Sequence, residues 1–130
     1  MSNNFVRYHL PFYLFAALIL SISSLPQFKP PDMEIVFADK IAHFFEYGIF
    51  AFLALRSLGQ LSAFKNRKKL YPWVLVISVV FAALDEWHQA YIPGRFSDIY
   101  DFIADTIGIV VVLLSIYIQS KRKATMKSGY

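Results

Sequence analysis

The strongest constraint on this chain is that four predominantly apolar stretches, at about 8–25, 41–58, 71–92 and 99–119, follow one another with little sequence between them. Crossing a bilayer takes ~20 apolar residues of helix, so each stretch is read as a membrane span. Together they fill a chain of 130 residues, leaving room for a single domain over 1–130. Charged residues make up 17% of the chain and hydrophobic ones 57%, against roughly 25% charged in an ordinary soluble domain. Too little polar side chain is present to cover a soluble globule. Aromatic residues mark several span ends, as amphipathic rings do at headgroup level: Tyr71, Trp73, Trp87, Tyr91, Tyr100 and Tyr117. The expected fold is all-α, a polytopic membrane bundle of four helices.

Arg7 precedes the first apolar run, but no A-x-A cleavage site follows it, so the first helix is expected to stay uncleaved. The linker 27–40 begins just after Pro26 and holds Pro30 and Pro31, which excludes one continuous helix through it. Segment 33–38 within it is a candidate for lying on the membrane surface. Cysteine is absent, which excludes disulfides, thiolate zinc sites and cysteine nucleophiles.

The charges are segregated. Arg7, Arg56, Lys65, Arg67, Lys68, Lys69, Lys121, Arg122, Lys123 and Lys127 fall on one side of an even-numbered helix array. The positive-inside rule places that side, with both termini, in the cytoplasm. Lys29, Lys40 and Arg95 fall on the other side, together with all nine acids. A basic rim of this kind serves orientation and contact with anionic lipid. The net charge of +4 therefore does not indicate nucleic acid.

Three polar stretches interrupt the apolar spans. Asp39, Lys40, His43, Glu46 and Tyr47 open the second helix, and 39, 43, 46 and 47 share one face because residues three and four apart stack. Asp85, Glu86, His88 and Gln89 lie in the outer part of the third. After a Pro93-Gly94-Arg95 turn, Asp98, Asp101, Asp105 and Gly108 form one stripe of the fourth. At ~1.5 Å per residue, Asp85 is expected about ten ångströms below a helix end near Ile92. Glu46 and Asp105 are expected at about the same depth. A charge facing lipid there costs at least ~2.5–3.5 kcal/mol, so the three acids should face one another across the bundle interior. Arg95 is expected to pair with Asp98, Asp101 or Asp85, since its planar fork bridges two acceptors. His43 and His88 are read as hydrogen-bonded interior histidines. His43 and His88 could also hold a divalent ion with Glu46, Asp85 or Asp105, but neither His43–Glu46 nor Asp85–His88 makes an H-E-x-x-H signature, and no metal is assigned. Ser97 sits in no nucleophile motif. Gly108 is read as permitting close helix packing.

These stretches resemble the VanZ-like family of small integral membrane proteins. The resemblance rests on Asp39, Lys40, His43, Phe44 and Tyr47, then on Asp85, Glu86, Gln89, Pro93, Gly94 and Arg95, and finally on Asp101, Asp105 and Gly108. It covers about 39–108. Asp105 stands where the family most often has Asn. Val112 stands where a second small residue often follows the glycine, which argues against tight packing there. The family takes its name from a protein of teicoplanin resistance, so the resemblance implies a role in the cell envelope, at the cytoplasmic membrane.

The leading expectation is an outward-facing acidic pocket that binds the head group of a lipid-linked envelope precursor, or a glycopeptide antibiotic that targets it. Glu46, Asp85 and Asp105 would form its floor, Arg95 and Lys40 a phosphate-facing rim, and His43 and Gln89 a hydrogen-bonding wall. The alternative is an intramembrane hydrolase or transferase acting on that head group, with paired carboxyls for acid–base chemistry and His43 or His88 as base. A proton-coupled carrier is disfavoured because the cytoplasmic half offers no polar path. No cofactor and no oligomeric state are assigned.

Overall fold

The computed structural model describes residues 3–26, 33–95 and 97–128. Helix α1 (Leu10–Ser23) follows a π-helical turn at Phe5–His9; α2 is Met33–Leu58, α3 is Arg67–Gln89 and α4 is Ile99–Ser128. A short 3-10 turn, Ser62–Phe64, lies between α2 and α3. No strand occurs among the described residues. Four segments are long and apolar enough to cross a membrane: Phe5–Ser23, Phe37–Leu58, Arg67–Gln89 and Ile99–Met126. The expected spans hold, with ends displaced by a few residues.

Contacts at the two ends of the bundle set the helix directions. At one end, His9 near the start of α1 meets Ser57 near the end of α2 at 2.8 Å. Tyr71 near the start of α3 packs edge-on against Tyr117 of α4, ring centroids 5.5 Å apart. At the other end, Ser23 of α1 reaches Asp85 of α3, and His43 of α2 reaches Asp105 of α4. The helices therefore alternate up and down, and every acid whose side chain is described lies towards one end.

The centre is apolar and aromatic: Tyr47, Phe50, Ala51, Ala54, Leu70, Val74, Ala82 and Ile109 are buried. Phe50 and Phe81 stack at 4.5 Å between centroids, and Phe12 packs on Phe50 at 5.3 Å. The outer faces carry exposed Leu14, Leu18, Phe45, Val76, Val80, Leu84 and Leu114, the pattern of a bundle whose solvent is hydrocarbon rather than water. Helix α1 is peripheral, with only Ile19 and Ser23 buried.

The α2–α4 interface is the most extensive in the fold. A Cβ built on Gly108 would collide with the Phe44 carbonyl oxygen, so only glycine allows the two backbones this approach. The expectation that Val112 loosens the packing is not met. Gly48 of α2 supplies the second small position from the opposite helix, where a Cβ would sit 3.1 Å from Val112 Cγ2.

Two local expectations are corrected. Residues 33–38 are the opening turns of α2 and not a separate surface segment. Helix α3 ends at Gln89 rather than near Ile92, because the chain tightens there into i→i+3 bonds: Tyr91 N–H donates to the His88 carbonyl at 3.0 Å and Ile92 N–H to that of Gln89 at 3.0 Å. Pro93 then bars helical backbone for the residue before it. The Ile92–Arg95 turn is closed by Arg95 N–H donating to the Ile92 carbonyl at 3.1 Å, with Gly94 at φ 78°. Proline second and a positive-φ glycine third are what a type II turn requires. The expectations placed on Lys29, Pro30, Pro31 and Asp32 lie outside the described residues.

Candidate functional site

The polar residues at the acidic end form three linked networks. Asp85, one turn from the end of α3, is buried among donors from three helices. Its Oδ1 accepts from Ser23 Oγ at 2.6 Å; its Oδ2 accepts from Tyr47 OH at 3.0 Å and Gln89 Nε2 at 3.2 Å. Hydrogen bonds to a charged acceptor contribute ~1.5–3 kcal/mol each, so this carboxylate ties α1, α2 and α3 together. Because α3 stops three residues early, Asp85 lies four residues from the end of its helix.

The second network is the Lys40 bridge. Lys40 Nζ donates to Asp98 Oδ2 at 2.7 Å and to Asp101 Oδ1 at 2.7 Å. Asp98 also caps α4, its Oδ1 accepting from Tyr100 N–H at 2.9 Å, the standard service of an Asp ahead of a first helical turn. The Lys40 ammonium and then the Tyr100 N–H hold the Asp98 carboxyl below its ordinary range.

The third network joins α2, α3 and α4. His43 Nδ1 lies 3.0 Å from Asp105 Oδ1. Glu86 Oε2 accepts from Ser97 Oγ at 3.3 Å and from Asp98 N–H at 3.2 Å. Glu86 Oε1 and Asp105 Oδ2 are buried with no hydrogen-bond partner. Leaving a buried polar atom unpaired costs ~1–3 kcal/mol, and more for a charged group. Beside this network, Ala83, Glu86, Trp87, Ser97, Asp98, Ile99 and Phe102 line a groove of about 450 Å³.

Arg95 departs from expectation. It pairs with none of Asp85, Asp98 and Asp101. Its Nε donates to the Leu25 carbonyl at 3.1 Å, Nη2 to the Ile22 carbonyl at 3.1 Å and Nη1 to Gln89 Oε1 at 3.0 Å. The last carbonyls of a helix lack partners, and a cation at that end also suits the dipole. The guanidinium thus caps α1 and reaches Asp85 only through Gln89.

The three deep acids share no hydrogen bond, although Glu46, Asp85 and Asp105 lie close enough for their charges to act on one another. Asp85 and Asp105 belong to different networks. Glu46 is half-buried, and no described side chain hydrogen-bonds it. Asp39 is exposed at the rim. His88 lies apart from the acids, its Nε2 2.9 Å from Ser24 Oγ. Ser23 and Ser24 take part in the networks and were not singled out from the sequence, whereas Ser97 and Asp98 were noted there, Asp98 as a partner of Arg95 rather than of Lys40 and Glu86. The Ser21-Ile22-Ser23-Ser24 run at the outer end of an otherwise apolar helix was the available signal for Ser23 and Ser24.

No match to the chain is found among curated proteins or solved structures. The sequence profile of the VanZ/LLP1 family matches residues 1–120, covering all four helices and all three polar networks. This chain, a multi-pass membrane protein by its four apolar helices, belongs to the VanZ/LLP1 family.

Proposed function

We propose that the protein is a membrane-embedded receptor for the polar head group of a lipid-linked envelope precursor, bound at the outer face of the cytoplasmic membrane. Glycopeptide resistance, the property attached to the family's name, would follow from holding or shielding such a precursor. The observation that carries this reading is the groove of about 450 Å³ in which Glu86, Ser97 and Asp98 face one another beside Trp87, Ile99 and Phe102. A polar strip against an apolar wall suits a ligand that is part head group and part chain. The lining offers carboxylate and hydroxyl acceptors, the chemistry that takes sugar hydroxyls and amines. The phosphate-facing rim expected of Arg95 and Lys40 is not carried forward, because both cations are engaged by acceptors of the protein itself.

The test is retention of a polyprenyl-pyrophosphoryl sugar–peptide by the full-length protein in lipid nanodiscs, read by native mass spectrometry. Wild type should retain the precursor, and Ala83→Trp, which fills the groove while leaving every acid in place, should lower retention at least tenfold. Equal retention by the two proteins, or none by wild type, would overturn the reading. A second reading, hydrolysis or transfer on the same head group, is favoured by His43 standing beside the unpartnered Asp105 oxygen. Turnover would appear in the same spectra as a product mass.

A further inference from the structure

His43, Glu86 and Asp105 come from three different helices, α2, α3 and α4, and all three are more than nine-tenths buried, at 7%, 6% and 1% exposure. Each offers a ligating atom, and the three atoms lie within 4.8 Å of one another. Two carboxylate oxygens in this group, Glu86 Oε1 and Asp105 Oδ2, have no hydrogen-bond partner although each is shut off from solvent. Every other buried carboxylate oxygen in the site described above is engaged: Asp85 by three donors, Asp101 Oδ1 by Lys40, Asp105 Oδ1 by His43 and Glu86 Oε2 by Ser97 and Asp98. Among the described residues the other buried side-chain atoms without a partner are the hydroxyls of Tyr71 and Ser78, so both orphan carboxylate oxygens belong to this group.

We propose that His43, Glu86 and Asp105 bind a divalent transition-metal cation, zinc being the best fit. One imidazole and two carboxylates suit zinc, which takes nitrogen and oxygen donors in small coordination numbers. Calcium needs six to eight oxygens, more than this enclosed group supplies. Two buried negative charges and a divalent cation neutralise one another, and the cation supplies the partner that both orphan oxygens lack. Three protein donors leave a coordination position open. Glu86 links that position to the groove, because its Oε2 accepts from Ser97 and Asp98 there. The sequence offered His43 and Asp105 as metal ligands but no signature to fix them, and gave no reason to set Glu86, on a third helix, beside them.

A rival trio, Asp39, His43 and Asp101, shares the histidine. It is the poorer site, because Asp39 is exposed and Asp101 Oδ1 already holds Lys40 at 2.7 Å.

The proposal stands without the head-group reading, and its test uses zinc alone. Full-length, tag-free protein in detergent is stripped with EDTA, dialysed and titrated with zinc against a fluorescent chelator. Wild type should bind one zinc per chain. Glu86→Gln and His43→Gln should each weaken binding at least tenfold, and Asp39→Asn should leave it unchanged. Zinc should also raise the melting temperature of wild type and not that of Glu86→Gln, a near-isosteric change. Absence of stoichiometric zinc, or equal affinity in wild type and Glu86→Gln, would overturn the proposal. Loss of binding in Asp39→Asn to the same extent as in Glu86→Gln would overturn it in favour of a rim site. Zinc binding without precursor retention removes the head-group reading alone, and retention without zinc removes this one alone.

Discussion

Among the charged residues, Asp98 shows how one side chain serves two purposes at the outer end. It caps α4 and holds Lys40 against the helix start. Its carboxyl is held low in the folded protein, whereas an unfolded Asp titrates near about 3.9. The linkage has a definite sign: the stabilisation is complete above the unfolded value and is lost as pH falls through the lower folded value. Thermal melts of wild type in detergent should therefore drop in midpoint as pH is taken from about 5 to about 3. Asp98→Asn should lower the midpoint at pH 7 and remove part of that acid-side drop. A variant curve parallel to wild type would assign the acid sensitivity to other carboxyls. Because Asp98 is partly exposed, with the Lys40 pair near the surface, salt should shrink the difference.

Helix packing rests on a glycine contact that no single helix reveals. Gly108 brings the α4 backbone against the Phe44 carbonyl oxygen, and Gly48 faces Val112 in the same interface. Inserting a methyl into a packed interior typically costs ~1–3 kcal/mol. Gly108→Ala meets rigid backbone and should fall at the upper end of that range. Gly48→Ala meets the end of a side chain and should cost less. Chemical unfolding in mixed micelles would rank them, and equal losses would contradict the asymmetry. Separating α2 from α4 also parts His43 from Asp105 and Lys40 from Asp98 and Asp101, so Gly108→Ala should weaken zinc binding along with stability.

Seen as a whole, the molecule is divided by charge. Most of the basic residues gather around the start of α1, the α2–α3 connection and the end of α4, and the acids, with Lys29, Lys40 and Arg95, around the other end. The positive-inside rule predicts that the basic end faces the cytoplasm. The chain has no cysteine of its own, so introduced thiols report cleanly. In intact cells, Tyr91→Cys, in the exposed α3–α4 turn, should react with a membrane-impermeant maleimide. Lys65→Cys, between α2 and α3, should react only after permeabilisation. The reverse labelling pattern would invert the orientation and place the groove on the cytoplasmic face.

Much of the architecture is written locally. Hydropathy marks the four spans because a helix in hydrocarbon must be apolar over ~20 residues. Pro93 and Gly94 specify their turn because each restricts or frees its own backbone torsions. Partnership is different, since it depends on how each helix is rotated and on what stands across the gap. Arg95 was expected beside a carboxylate; instead it found the Ile22 and Leu25 carbonyls at the end of α1, more than seventy residues away along the chain in one case. His43 and His88 look alike in sequence, yet one faces Asp105 in the interior and the other Ser24 at the edge. The sequence by itself determined a four-helix membrane protein with its acids gathered at one end, because span and composition are properties of single segments. Only the tertiary structure decided which acids are satisfied and which oxygens of Glu86 and Asp105 are left open beside His43, because those pairings are made between helices.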